Sequence, residues 1–262
     1  MGPAASPQTA SKLPFATGVR IVCVVLLFLV ACGGESPAPA RVEARKAPAC
    51  PQEWTAVAGG VEYRMLDCDL HLVRVDPRKA RIDAVVRMGS TARDHAANAV
   101  FAINTNFFDE SFRPIGVVMS KGRELNRPHP VSWQSVFYVD EAGSPGILPV
   151  REWKNVRDPV TAVQCGPRLV VRGERNDVAR AQPASRSGVC IDGDEKVVFF
   201  ATAPEARFDV TQMVDLAATR LRCRDAMLFD GGPSVQMHLH RDSGDVSVEG
   251  DKRVPAYIVV RD

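Results

Sequence analysis

The chain has 262 residues, 45% of them hydrophobic and 24% charged, a balance that excludes a disordered polymer. Its formal charge of +2 includes Lys12 and Arg20, the only charged residues ahead of Cys32, so the remainder is formally neutral. A neutral chain lacks the basic footprint that nucleic acid requires, and no nucleic-acid partner is expected.

Residues 21–31 (IVCVVLLFLVA) are an apolar run following Lys12 and Arg20. Crossing a bilayer takes about 20 such residues, whereas an apolar run of about 7–15 behind positive charge suits a secretory signal. The run ends in Leu29-Val30-Ala31-Cys32-Gly33. A cysteine after a small residue at that place resembles a bacterial lipobox, in which Cys32 carries lipid and becomes the mature N-terminus. Gly33, rather than an acid, resembles lipoproteins sent to an outer membrane. The expected layout is a signal peptide over 1–31, lipidated Cys32 with a Pro/Ala-rich tether to 52, and one domain over 53–262. The expected place is a bacterial cell envelope, on the periplasmic face of the outer membrane, with the membrane as partner through Cys32.

Past the tether, short apolar stretches bounded by Gly, Pro, Asp or Asn read as strands. They fall at 61–66, 70–75, 81–87, 99–104, 115–119, 135–139, 160–164, 168–171, 188–191 and 196–202. Residues 91–98 are a short helix candidate. A clearer helix opens at Asp209, an N-cap with Gln212 three residues on, and Met213, Val214, Ala217 and Leu221 follow at helical spacing. Strands then recur at 226–229, 235–239, 246–249 and 257–260. The expected fold class is α+β: a large mixed or antiparallel β-sheet with few helices, in a single domain.

Of seven cysteines, Cys23 falls in the signal and Cys32 takes lipid. Five remain, and an oxidising compartment permits disulfides while an odd number leaves one thiol over. Cys50 and Cys68 flank two short strands joined at Gly59-Gly60; Cys190 ends one strand and Cys223 precedes another. These are the favoured pairs, with Cys165 left free, although connectivity is not fixed by sequence and all five reduced is equally compatible.

Four segments carry chemistry. In Asp230-Gly231-Gly232-Pro233-Ser234 a hydrophobic strand delivers a carboxylate, and two glycines let backbone approach a ligand. In Phe101–Asp109 a strand ends in Asn104 and Asn106, able to orient hydroxyls, with Phe107 and Phe108 as apolar walls and Asp109 as a second carboxylate. Gln164–Arg168 and Ser185–Gly188 supply Arg168 and Arg186, whose guanidinium groups match phosphate geometry. His238 and His240 share one strand face but lack an obvious third ligand, so no metal and no cofactor is expected. Ser234 lacks the Gly-x-Ser-x-Gly elbow of a serine hydrolase, and Cys165 reads as a small buried thiol.

Taken in order, these segments resemble the phosphodiester glycosidase family. The matching stretches are FAINTNFFD (101–109), PIGVVMSKGRELN (114–126), QCGPRLVVRGE (164–174), SRSGVCIDGDEKVVFF (185–200), DAMLFDGGPSVQM (225–237) and VPAYIVV (254–260). Departures are Thr105 and Asn106, where the family often has two glycines, and Pro233 with Val235, where it often has Gly and Thr. The resemblance implies hydrolysis of a sugar-1-phosphodiester, with a carbohydrate phosphodiester or glycan as partner. It implies Asp230 near the anomeric carbon, Arg186 and Arg168 on phosphate, Asn104 and Asn106 on sugar hydroxyls, and Asp109 as reserve acid/base. Gly231, Gly232 and Ser234 complete the expected site. A non-catalytic glycan-binding or envelope-assembly lipoprotein using the same pocket is the other expectation.

Overall fold

A computed structural model describes residues 50–262; the expected signal peptide, Cys32 and residues 33–49 lie outside the described residues. Strands are numbered along the chain. The largest sheet runs β1 (Thr55–Ala58), β2 (Val61–Leu66), β3 (Leu70–Val75), β14 (Val197–Thr202), β13 (Ser187–Ile191), β15 (Asp225–Leu228), β11 (Arg168–Val171), β12 (Glu174–Arg175). A second runs β7 (Arg123–Asn126), β6 (Val118–Ser120), β10 (Pro159–Cys165), β8 (Ser135–Asp140), β9 (Pro145–Pro149). The third runs β17 (Val246–Val248), β16 (Met237–Leu239), β5 (Phe101–Asn104), β18 (Val254–Arg261), β4 (Arg81–Ser90).

The expected single large sheet is therefore corrected to three sheets, and every pairing between these strands is antiparallel. The reason lies in the two-residue alternation of the strands. Along β14, Val197, Phe199 and Ala201 enter one core, while Val198 and Phe200 enter another on the opposite face. The first core is shared by all three sheets, joining Phe199 to Phe101 of β5, Phe137 of β8 and Ile258 of β18. Three sheets facing one core bury more side chains than one open sheet, and each large buried apolar side chain contributes about 1.5–3 kcal/mol.

The few helices cover outer faces. α1 (Ala92–Ala96) is capped by Thr91, with Asp94 returning the bond to the cap, and it lies over Ala102, Tyr257 and Val259. α2 (Val210–Asp215) starts where expected: Asp209 accepts from the Gln212 amide and the Gln212 side chain accepts from the Asp209 amide. Its Met213 and Val214, with Ala217 beyond, pack on the outer face of the largest sheet beside Cys190 and Cys223.

Both expected disulfides are present, Cys50–Cys68 and Cys190–Cys223, with Cα separations of 5.5 and 5.6 Å. The first corrects the tether boundary at 52. Cys50 is bonded to the β2–β3 corner and Pro51 accepts a hydrogen bond from the Met65 amide (2.6 Å), so the folded unit reaches back to Cys50. Cys165 is free and buried.

Candidate active site

The largest sheet meets the third where β15 runs out and β5 ends. The Asp230 amide donates to the Thr105 carbonyl (2.8 Å), and the Phe229 amide to Ser187 (2.9 Å). Asn104 closes this junction. Its Nδ2 donates to the Asp230 carbonyl (2.7 Å), while Oδ1 accepts from the Gln236 amide (3.1 Å) and the Ser187 hydroxyl (3.0 Å). With both side-chain polar atoms engaged and no exposed surface, Asn104 holds the junction together, out of reach of a sugar hydroxyl. Asn106 is corrected likewise: buried, it donates to the Ile115 and Val117 carbonyls (3.1 and 3.0 Å) and accepts from the Thr105 hydroxyl.

Beside the junction lies a cleft of about 490 Å³. Of the expected residues it gathers Phe107, Arg168, Arg186 and Gly231. Phe108 instead packs toward Ala102 and Tyr257 and stacks on Phe112 (5.4 Å between ring centres). Asp109 is exposed outside the cleft, accepting from the Ser111 and Arg113 amides (2.9 Å each), so it caps a turn rather than serving as reserve acid/base. Sequence reasoning missed Trp133, Arg151, Asn176 and Asp177, which also line the cleft. Trp133, Asn176 and Asp177 sit in loops and Arg151 in the short 3-10 helix Val150–Asn155, none with a period to read, and only the isolated Trp was a signal.

Arg186 is the free cation of this cleft. Its Nε donates to the Phe208 carbonyl (3.0 Å) and Nη2 to the Gln182 carbonyl (2.8 Å), which fixes the guanidinium plane without neutralising it. Asp209, the nearby acid, is engaged by Arg180 at 3.4 Å. Desolvation lowers the Arg186 pKa against the opposing pull of Asp209, and the group stays charged. Arg168 differs. Its Nη2 pairs with Asp225 (3.1 Å) and reaches the Ile147 carbonyl (3.3 Å), so its charge is largely compensated where it enters the cleft.

Asp230 stands between Phe229 and Gly231, which line the cleft, but is not itself among the lining residues, nor are Gly232 and Ser234; its half-buried carboxyl is held by Ser234 and the Gly231 amide. Burial pushes its pKa up to about 6, against hydrogen bonds from the Ser234 hydroxyl and Gly231 amide and the charge of Lys252. A carboxyl so tuned exchanges a proton near neutrality. Ser234 is buried and engaged with Asp230, consistent with its lacking a nucleophile's setting. At Gly231 the backbone comes close to its neighbours: a Cβ there would lie a tight 3.2 Å from the Ser185 carbonyl and in van der Waals contact with Arg186 Nη1 at 3.4 Å. Gly232 turns the chain at φ +59°, in the left-handed region.

Cys165 is fully buried and its pKa is pushed up by desolvation and by the Asp230 charge, so it remains a thiol. His238 and His240 both meet Asp245, at 3.3 and 2.8 Å, and no three-residue metal cluster occurs among the described residues.

A family model described as phosphodiester glycosidase matches residues 97–261. Among solved structures, the chain is similar to the zebrafish N-acetylglucosamine-1-phosphodiester alpha-N-acetylglucosaminidase catalytic domain, auto-inhibited by its pro-peptide. That match has 15% identity and a TM-score of 0.60, covering 77% of each chain. A hypothetical protein from Synechocystis matches at 15% identity and a TM-score of 0.50, over 80% of this chain and 61% of that one. A comparison with curated proteins gave no match. At these identities the structures carry the fold alone. The family model spans well over half of the sequence, from before Asn104 to beyond Asp230, and the chain therefore belongs to the phosphodiester glycosidase family.

Proposed function

We propose that the protein hydrolyses the bond between a sugar's anomeric carbon and a phosphodiester oxygen, on a glycan or related substrate of a bacterial envelope. The observation that carries this reading is that Gly231, which lies beside the Arg186 guanidinium in the cleft, directly follows Asp230, a half-buried carboxyl with a pKa of about 6. Family membership supports the reaction class, and the zebrafish relative's name supports an N-acetylglucosamine 1-phosphodiester as first substrate to try.

In this reaction water's oxygen joins C1, the C1–O bond breaks, and its electron pair leaves on the phosphomonoester oxygen. Asp230 as carboxylate takes the proton from the attacking water. Phosphate is a good leaving group, so the larger demand is charge stabilisation on the departing oxygens, which Arg186 supplies. Arg168, tied to Asp225, shapes the wall. Membrane attachment through lipid on Cys32 belongs to the same proposal and would hold the domain at the periplasmic face of the outer membrane.

The test is a panel of N-acetylglucosamine, glucose and mannose 1-phosphodiesters, with phosphomonoester release followed. Asp230→Asn should lower kcat by about 10²–10⁴, the usual range for one acid–base group. Saturable glycan binding without product from any member would favour a non-catalytic binding lipoprotein, and the Thr105, Asn106 and Pro233 departures motivate keeping that arm.

A further inference from the structure

Against the cleft lies a second hollow, a trough of about 350 Å³ walled by Pro128, Pro130, Val131 and Val150, with Ser132, Pro149 and Arg151 lining both. Hydrogen-bond donors are scarce there. Three of the walls are prolines without an amide N–H, the Val131 amide is taken by the His129 carbonyl (2.8 Å), and the Val150 amide faces the Gln134 carbonyl at 3.5 Å. The loop is also held in place. Gln164 accepts from the His129 amide (3.0 Å) and donates to the His129 carbonyl (2.7 Å). Trp133, 52% exposed and edge-on to Phe107 at 5.7 Å, lines the cleft next to Ser132, which both cavities share.

From the shared wall and the apolar lining we infer that the trough is an aglycone subsite selective for a hydrophobic group, an alkyl or isoprenoid chain esterified to the phosphate. This rests on the hydrolytic reading above and deepens it. With the sugar toward Asp230 and the phosphate at Arg186, the second ester oxygen points the remaining group past Trp133 toward Arg151. A hexose there would bury hydroxyls against prolines and valines that offer few partners, which is unfavourable. A hydrocarbon chain asks for no partner, and each methylene it buries strengthens binding about fourfold. Arg151, exposed on the wall that both cavities share, is engaged by Glu152 at 3.4 Å.

The experiment uses the full-length chain and two readouts. Calorimetry compares methyl phosphate, octyl phosphate and glucose 6-phosphate, and kinetics compares the N-acetylglucosamine 1-phosphodiesters bearing methyl, octyl or hexosyl groups. Octyl phosphate is expected to bind at least tenfold tighter than the other two, with a matching fall in KM for the octyl diester. Val131→Asp and, separately, Val150→Asp should bring the octyl-to-methyl ratio within about twofold. Equal binding of methyl and octyl phosphate, a preference for the hexosyl group, or an octyl preference that survives both substitutions would overturn the subsite. Turnover of methyl and octyl diesters at equal KM would also overturn it while leaving hydrolysis in place. Octyl-selective binding with no turnover of any diester would support the subsite and reject the hydrolytic reading.

Discussion

Burial raises the Asp230 pKa to about 6 while the unfolded chain holds aspartate near 4, and that difference has two consequences of opposite sign. As a proton acceptor the residue works only when ionised, so kcat should climb as pH rises through about 6 and level off above it. For folding, the native state binds the proton more tightly than the unfolded state, so stability falls as pH rises from about 4 to 6 and stays reduced beyond. Asp230→Asn removes that burden; at pH 7 the inactive variant should be the more stable one, by up to about 2–3 kcal/mol in denaturant titrations. Arg186 makes the complementary case. Replacing it with Ala should lower kcat/KM roughly ten- to a hundredfold, the worth of one charge-assisted contact, and Lys should not restore it, because a point charge cannot use both the Phe208 and Gln182 carbonyls. Asn104 and Asn106 show why residue type alone misassigned roles. An amide at a strand end serves a ligand or a backbone junction equally well by chemistry, and only the approach of Asp230, Gln236, Ile115 and Val117 decides which.

Elements were legible where a local rule fixes them. The Asp209–Gln212 box started α2 as expected, and the alternating strands β2, β3 and β14 fell within a residue of their expected bounds. β7 (RELN) has a single apolar residue, the exposed Leu125, and pairs only along the edge at β6, and β9 is bracketed by Pro145 and Pro149; neither carries a period to read. The count of sheets was likewise hidden, because the facing of Phe101, Phe137 and Phe199 is a long-range choice. At this scale the disulfides differ in weight. Cys190–Cys223 closes 33 residues and ties β13 to the segment after α2, and by loop closure it contributes about 4 kcal/mol. Its double Ser variant should melt about 8–15 °C lower by calorimetry. The 18-residue Cys50–Cys68 link should contribute about 3 kcal/mol.

Across the three sheets, one shared core means that the Asn104–Asp230 junction is assembled only when the sheets have docked, since Asp230 follows β15 of one and Asn104 ends β5 of another. Attachment is tested at the same scale: Cys32→Ala should move the protein from the membrane fraction to the soluble periplasmic fraction without changing kcat on a soluble diester. The Cys50–Cys68 bond adds a mechanical property. Tension on the chain ahead of Cys50 enters the fold through sulfur at the corner between β2 and β3, so β1 is not peeled from its edge one hydrogen bond at a time. The β2–β3 and β3–β14 ladders, six residue pairs each, must yield before the strain reaches β13 and β15. A pull there would thus be absorbed at the β2–β3 corner, leaving the Asn104–Asp230 junction in register.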